Sequence, residues 1–119
     1  MDYIFDNERP IYIQLSEMLK SKIVSGELKQ GERIPSVREF ALTARVNPNT
    51  MQKALAELEE EGLIYTERTN GKFVTDNKEL IEGIKEKIAK EKVNNYLNEM
   101  KNIGINYEEA IIYLKKLGG

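Results

Sequence analysis

The chain contains no cysteine, no histidine and no tryptophan. Without thiolates or imidazoles, disulfides, cysteine nucleophiles, histidine triads or proton shuttles and Cys/His zinc sites are all excluded. The acidic residues that remain form solvated runs with no accompanying base, so no enzyme, cofactor or metal is expected. Long apolar runs are missing too: nothing approaches the roughly 18 residues that a membrane helix needs. The N-terminus, Met1-Asp2-Tyr3-Ile4-Phe5-Asp6, is acidic where a signal peptide would be basic, so a cytoplasmic protein with no membrane partner is expected. Positive charge is also scarce: 18 basic against 20 acidic side chains leave a net charge of −2, whereas nucleic-acid binders usually carry a basic excess. What is present is 40% apolar and 32% charged residues in 119, enough for one modest core and too apolar for a disordered tail.

Apolar spacing predicts a helix from Pro10 through Ile11, Leu15, Met18, Leu19 and Ile23, stopped by Gly26. A connector, Glu27 to Pro35, has room for a short extended piece at Arg33-Ile34. Ser36 opens a second helix, with Glu39 as its reciprocal capping partner and Val37, Phe40 and Ala41 facing inward, ending near Thr43 or Ala44. A third helix spans 47–61, with Asn47 as cap, Pro48 in its first turn and Gly62 as stop. Met51, Ala54, Leu55 and Leu58 share its inner face; Asn49, Gln52, Lys53 and Ala56 lie opposite. Two strands follow within 63–75, and the Asn70-Gly71 pair between them predicts a two-residue type I′ hairpin turn. Lys78 to Asn102 reads as a long helix with a drifting apolar stripe, because the step from Ile88 to Val93 breaks heptad spacing. Asn106, with Glu109 as partner, caps a last helix whose inner face is Tyr107, Ala110, Ile111, Leu114 and Leu117.

This order is mainly α with a small β-hairpin (α+β): a winged helix-turn-helix over residues 1–76, followed by a two-helix extension over 77–119. A helix that enters the major groove needs short polar side chains in its first turns, and Asn49, Thr50, Gln52 and Lys53 provide them. A solvated surface face has the same composition, and local charge decides between the two. From Arg33 to Lys53 four cations (Arg33, Arg38, Arg45, Lys53) oppose one acid, Glu39, while Glu57, Glu59, Glu60 and Glu61 crowd the far end of the third helix. The N-terminal tip of that helix is therefore the expected reading end. Arg68 and Lys72 on the wing are candidates for phosphate contact, or else charges that keep a strand edge from aggregating.

The segment Gly26-Glu27-Leu28-Lys29-Gln30-Gly31-Glu32-Arg33-Ile34-Pro35-Ser36-Val37-Arg38-Glu39-Phe40-Ala41 resembles the signature of GntR-type transcription regulators. Asn47-Pro48-Asn49-Thr50-Met51-Gln52-Lys53-Ala54, with Gly62-Leu63-Ile64 after it, is similar to the form in their YtrA-like branch, which carries a short two-helix extension. The resemblance implies a dimeric repressor on a palindromic double-stranded operator. It also implies DNA contacts at Ser36 and Arg38, at Asn47, Asn49, Thr50, Gln52 and Lys53, and at the wing tip near Asn70 and Gly71. Many relatives carry arginines where this chain has Pro48 and Gln52, so their guanine-reading pattern does not transfer; of the family's two wing glycines only Gly71 remains.

The extension cannot bury its apolar faces alone. A second copy is the expected partner, through Ile81, Ile84, Ile88, Val93, Tyr96, Leu97, Met100, Ile103, Ile111 and Leu114; folding back on the winged domain is the alternative. No arginine clamp or metal cluster marks a small-molecule effector, whose existence stays unknown. The competing function is a winged-helix protein-docking module without specific DNA binding.

Overall fold

The structure, a computed structural model, describes residues 3–119. Five helices and one hairpin follow in the order α1 (Ile11–Val24), α2 (Val37–Ala44), α3 (Pro48–Glu60), β1 (Ile64–Glu67), β2 (Gly71–Val74), α4 (Lys78–Asn102) and α5 (Tyr107–Gly118). The chain divides into two compact units, one running up to Gly83 and the other Ile84–Gly119, so the first takes in the opening turns of α4.

In the first unit α3 is the central element, packed on α1 and α2 and touching β1. Its stripe of Met51, Ala54, Leu55 and Leu58 is fully buried against Leu15, Leu19 and Ile23 of α1 and Phe40, Ala41 and Ala44 of α2. Removing each large side chain of this set from water is worth about 1.5–3 kcal/mol. Ile11, expected on the inner face of α1, is 46% exposed at the rim. Gln14 and Ser16 are buried polar residues of α1 that the apolar pattern passes over, and Gln14 is held by hydrogen bonds to the segment before the helix. Its Oε1 accepts from Asp6 N at 2.9 Å, and its Nε2 donates to Asp6 O at 3.1 Å and Arg9 O at 2.7 Å, which ties the leading segment to the helix. Tyr3 is half-buried there, with the Lys22 ammonium 4.5 Å above its ring.

The caps follow from the sequence. Asn47 Oδ1 accepts from Asn49 N at 2.7 Å, with Pro48 in the first turn of α3. Ser36 Oγ accepts from Glu39 N at 3.2 Å and donates to Glu39 Oε1 at 3.0 Å, so the reciprocal bond closes on the hydroxyl and not on the backbone. Between α2 and α3 the chain turns through Arg45 in the left-handed region, φ 57° and ψ 47°, the single non-glycine residue with positive φ among those described. A side chain there costs about 1–2 kcal/mol.

The hairpin departs from the expected two-residue turn. Ile64 pairs with Val74 and Glu67 with Gly71, leaving Arg68, Thr69 and Asn70 as a three-residue loop; Gly71 has φ 99°, and Asn70 does not share the positive φ that a type I′ turn requires. Burial explains the difference. Ile64 and Val74 both face the core, and a turn centred on Asn70-Gly71 would shift the register by an odd number of residues and turn one of them outward. The connector lies along the outer edge of β2 as an extended segment, with an isolated bridge and no strand of its own: Gly31 N donates to Val74 O (3.0 Å), Val74 N to Glu32 O (2.9 Å) and Ile34 N to Lys72 O (2.9 Å), with Arg33 bridged to Phe73.

In the second unit, α5 is capped by Asn106 and Glu109 in a full reciprocal box, and the Tyr96 hydroxyl donates to Ala110 O at 2.8 Å. Ala110 is its one buried hydrophobic residue, while Val93 (53%), Ile103 (70%) and Leu114 (51%) stand exposed.

Candidate nucleic-acid interface

The free face of α3 carries Asn49, Gln52, Lys53 and Ala56 exposed and Thr50 half-buried, presented at the end of the helix where the first N–H groups point outward. The side chains expected at the interface differ in what they already hold. Arg38, Asn49, Gln52 and Arg68 are exposed and make no side-chain hydrogen bond or ion pair among the described residues. Ser36 and Asn47 are engaged as helix caps, so their part in any contact runs through the geometry they impose on α2 and α3. The Lys53 ammonium lies 5.4 Å from the centre of the Tyr12 ring on α1. This contact holds an otherwise flexible side chain at the edge of the exposed face of α3.

The wing is organised around an acid. Glu59 on α3 takes a close ion pair from Lys72 and a 2.8 Å hydrogen bond from the Thr66 hydroxyl, and Lys72 Nζ also donates to Thr66 Oγ1 at 2.9 Å. Burial pushes the Glu59 carboxyl up, but the hydrogen bonds from Lys72 and Thr66 and the lysine charge outweigh it, leaving the group below its ordinary value. Lys72, expected to face phosphate, is thus turned onto the body of the domain. Asn70 donates from the loop to Glu67 Oε2 at the end of β1, at 2.9 Å, and Tyr65 stacks on Phe73 with ring centres 5.6 Å apart.

These pairings bear on the unfavourable overall charge. Glu61 is paired with Lys20 at 2.8 Å and Glu59 with Lys72, while Arg9 holds Glu17 and Lys22 holds Glu27. The acids at the far end of α3 are partly neutralised by cations from α1 and the wing. Arg33, Arg38, Arg45 and Arg68 are in no ion pair among the described residues. Exposed positive charge therefore remains on the segment that leads into α3 and on the wing.

Three residues beside the expected interface carry no mark in the sequence pattern as such: the exposed, unpaired Arg33, and Tyr12 and Glu59, which hold Lys53 and Lys72. For Arg33 the alternation of an exposed residue with buried Ile34 in an extended piece was the available signal. Glu59 reads as one of four equivalent acids until the hairpin places Lys72 beside it. In the second unit, Ile84, Ile88, Tyr96, Leu97, Met100 and Ile111 are half-buried beside the exposed Val93, Ile103 and Leu114. Ile81, expected on the same patch, belongs to the first unit and is 4% exposed; having no surface left to bury, it drops out of the surface available to a partner. Among the described residues no three His, Cys, Asp or Glu side chains are grouped to hold a metal, and no helix is long and apolar enough to cross a membrane.

Residues 11–74 match the family described as bacterial regulatory proteins, gntR family. The chain is 35% identical over 115 residues to the uncharacterized HTH-type transcriptional regulator YhcF of Bacillus subtilis (strain 168), covering 97% of this chain and 95% of the relative. It is 36% identical over 110 residues to the HTH-type transcriptional repressor YtrA of the same organism, covering 91% and 84%. A GntR family transcriptional regulator from Listeria monocytogenes superposes with a TM-score of 0.89 at 43% identity, over 95% of this chain and 99% of that one. The AraR DNA-binding domain, solved in complex with operator ORX1, superposes with a TM-score of 0.56 at 28% identity over 60% of this chain and 93% of that one. The chain belongs to the gntR family of bacterial regulatory proteins, and is a DNA-binding transcription regulator of winged-helix fold and not an enzyme.

Proposed function

We propose that the protein is a cytoplasmic repressor that binds an inverted-repeat operator as a homodimer, with residues 1–76 as the DNA-binding domain and 77–119 as the dimerisation region. In this reading Asn49, Thr50, Gln52 and Lys53 meet base edges in the major groove. Asn and Gln are suited to adenine and Lys to guanine acceptors or phosphate. Arg38 and Arg68 take phosphates, Ser36 and Asn47 hold the ends of the two helices against the backbone, and Asn70 and Gly71 form the flank of the wing beside the minor groove, while Lys72 stays on Glu59 and takes no phosphate. The observation that carries the reading is the combination on α3 of an unoccupied amide-rich face with unpaired arginines around it, in a domain whose other cations are largely spent on its own acids. The relative named a repressor, YtrA, and the operator complex of AraR point the same way.

The homodimer is supported by the exposed Val93, Ile103 and Leu114, continuous in sequence pattern with Ile84, Ile88, Tyr96, Leu97, Met100 and Ile111. A two-fold dimer would set two recognition helices about 34–36 Å apart, one turn of duplex, or a multiple of it. The test is binding to duplex DNA across a salt series. Affinity falling steeply with salt, with a slope near −0.9 for each phosphate neutralised, supports a DNA reader; no duplex binding at any salt would favour a protein-docking module instead.

A further inference from the structure

The wing has lost one of its two expected cations. Lys72 is turned onto Glu59 and Thr66, leaving Arg68 in the loop. A second cation reaches the same place from another part of the chain. Arg33 sits in the extended connector, whose backbone is fixed to β2 by the bonds from Gly31 N, Ile34 N and Val74 N and by its own bridge to Phe73. The inward neighbour Ile34 is 3% exposed, and strand alternation turns Arg33 outward. Its guanidinium lies across the bare side of Gly71: a Cβ built there would stand 3.3 Å from Nε, 3.5 Å from Nη2 and 3.8 Å from Cζ. The absence of a side chain at residue 71 leaves this path open. The guanidinium is in no ion pair or side-chain hydrogen bond among the described residues, so its donors are free.

We propose that Arg33 is the second phosphate contact of the wing, supplied by the connector between α1 and α2 in place of Lys72. The inference rests on the DNA-binding reading above. A guanidinium held at both ends, by a paired backbone and by the glycine it crosses, presents a fork of donors matched to a phosphate and loses less freedom on binding than a side chain with no such support. Gly71 then serves as the seat of the arginine as well as a turn residue.

The full chain and its Arg33→Ala, Arg33→Lys and Lys72→Ala variants are compared by fluorescence anisotropy across a salt series. Two duplexes serve: an inverted repeat recovered by selection from a random pool, and a scramble of the same composition. Arg33→Ala should weaken binding to both duplexes by a similar factor, roughly tenfold, and flatten the salt dependence by nearly two units per dimer, since each copy surrenders one phosphate. Arg33→Lys should keep the salt dependence and lose only part of the affinity, and Lys72→Ala should leave the salt dependence unchanged. Melting temperatures recorded alongside separate loss of wing stability, which does not alter the salt slope, from loss of a phosphate contact. An unchanged slope in Arg33→Ala, or a loss confined to one base pair of the selected site, would overturn the proposal while leaving the protein a DNA reader. Failure of the wild-type chain to bind any duplex would overturn both.

Discussion

Replacing Glu59 by glutamine would preserve the shape of the staple between α3 and the wing while removing its charge. The pair with Lys72 is charge-assisted, a class worth about 1.5–3 kcal/mol when well shielded. Here the lysine side chain is 19% exposed and the carboxylate 34%, so solvent screening brings the value down toward that of surface pairs, to about 1 kcal/mol. For a unit of this size that corresponds to a melting temperature lower by roughly 4–8 °C. Because the folded-state carboxyl lies below its ordinary value of 4.5, the contribution is fully present above that pH and disappears as pH falls through the lower, folded value. Thermal melts followed by circular dichroism at pH 7 and at successively lower pH should therefore show a gap between wild type and Glu59→Gln that is widest near neutrality and closes below about pH 4.5. The same substitution frees Lys72 and removes a negative charge beside the wing, so duplex affinity should rise slightly as stability falls. A gap that persists unchanged into acid, or no gap at pH 7, would refute the assignment of the staple. A cycle with Lys72→Met, in which the double variant loses no more than Glu59→Gln alone, would localise the effect to this pair.

Three further outcomes follow from the same geometry. Ile84→Asp with Ile88→Asp should give a folded monomer with much weaker operator binding; sedimentation that still reports a dimer would remove these residues from the interface. Arg45→Gly relieves a left-handed backbone at φ 57° and should raise stability by about 0.5–1 kcal/mol after the entropy of the added glycine is counted, readable as a higher denaturant midpoint. Gln14→Leu leaves the Asp6 N–H and the Asp6 and Arg9 carbonyls without their partner and should cost about 1–3 kcal/mol, with hydrogen exchange at Asp6 accelerated relative to the rest of the domain.

Much of this fold is legible because local and tertiary preferences agree. Ser36, Asn47 and Asn106 are caps by residue type and become caps in three dimensions, and the stripe of Met51, Ala54, Leu55 and Leu58 has one face to bury and buries it. The hairpin shows where local preference yields. Asn70-Gly71 is a strong turn dipeptide, yet opposing Ile64 and Val74 in the core fixes the register and moves the turn one step back along the chain, leaving only Gly71 with positive φ. The interface divides in the same way. Residue type and helical spacing suffice to find Asn49, Gln52 and Lys53, since exposure on α3 is a local property. Which cations are free is a matter of long-range pairing: Lys72 meets an acid 13 residues earlier, Lys20 one 41 residues later, and no pattern along the chain announces either. Ile81 illustrates the complementary case, apolar and in phase with the stripe of α4 but already buried in the first unit.

In the proposed function, two copies of this chain read one palindromic duplex through the N-terminal end of α3. Selection of binding sites from a random pool of duplexes tests it most directly. The recovered sequences should share an inverted repeat with half-site centres one turn of duplex apart or a multiple of it, and substituting Gln52 should relax the preference at one symmetric pair of positions. Recovery of no inverted repeat, from protein shown by sedimentation to be folded, would contradict it.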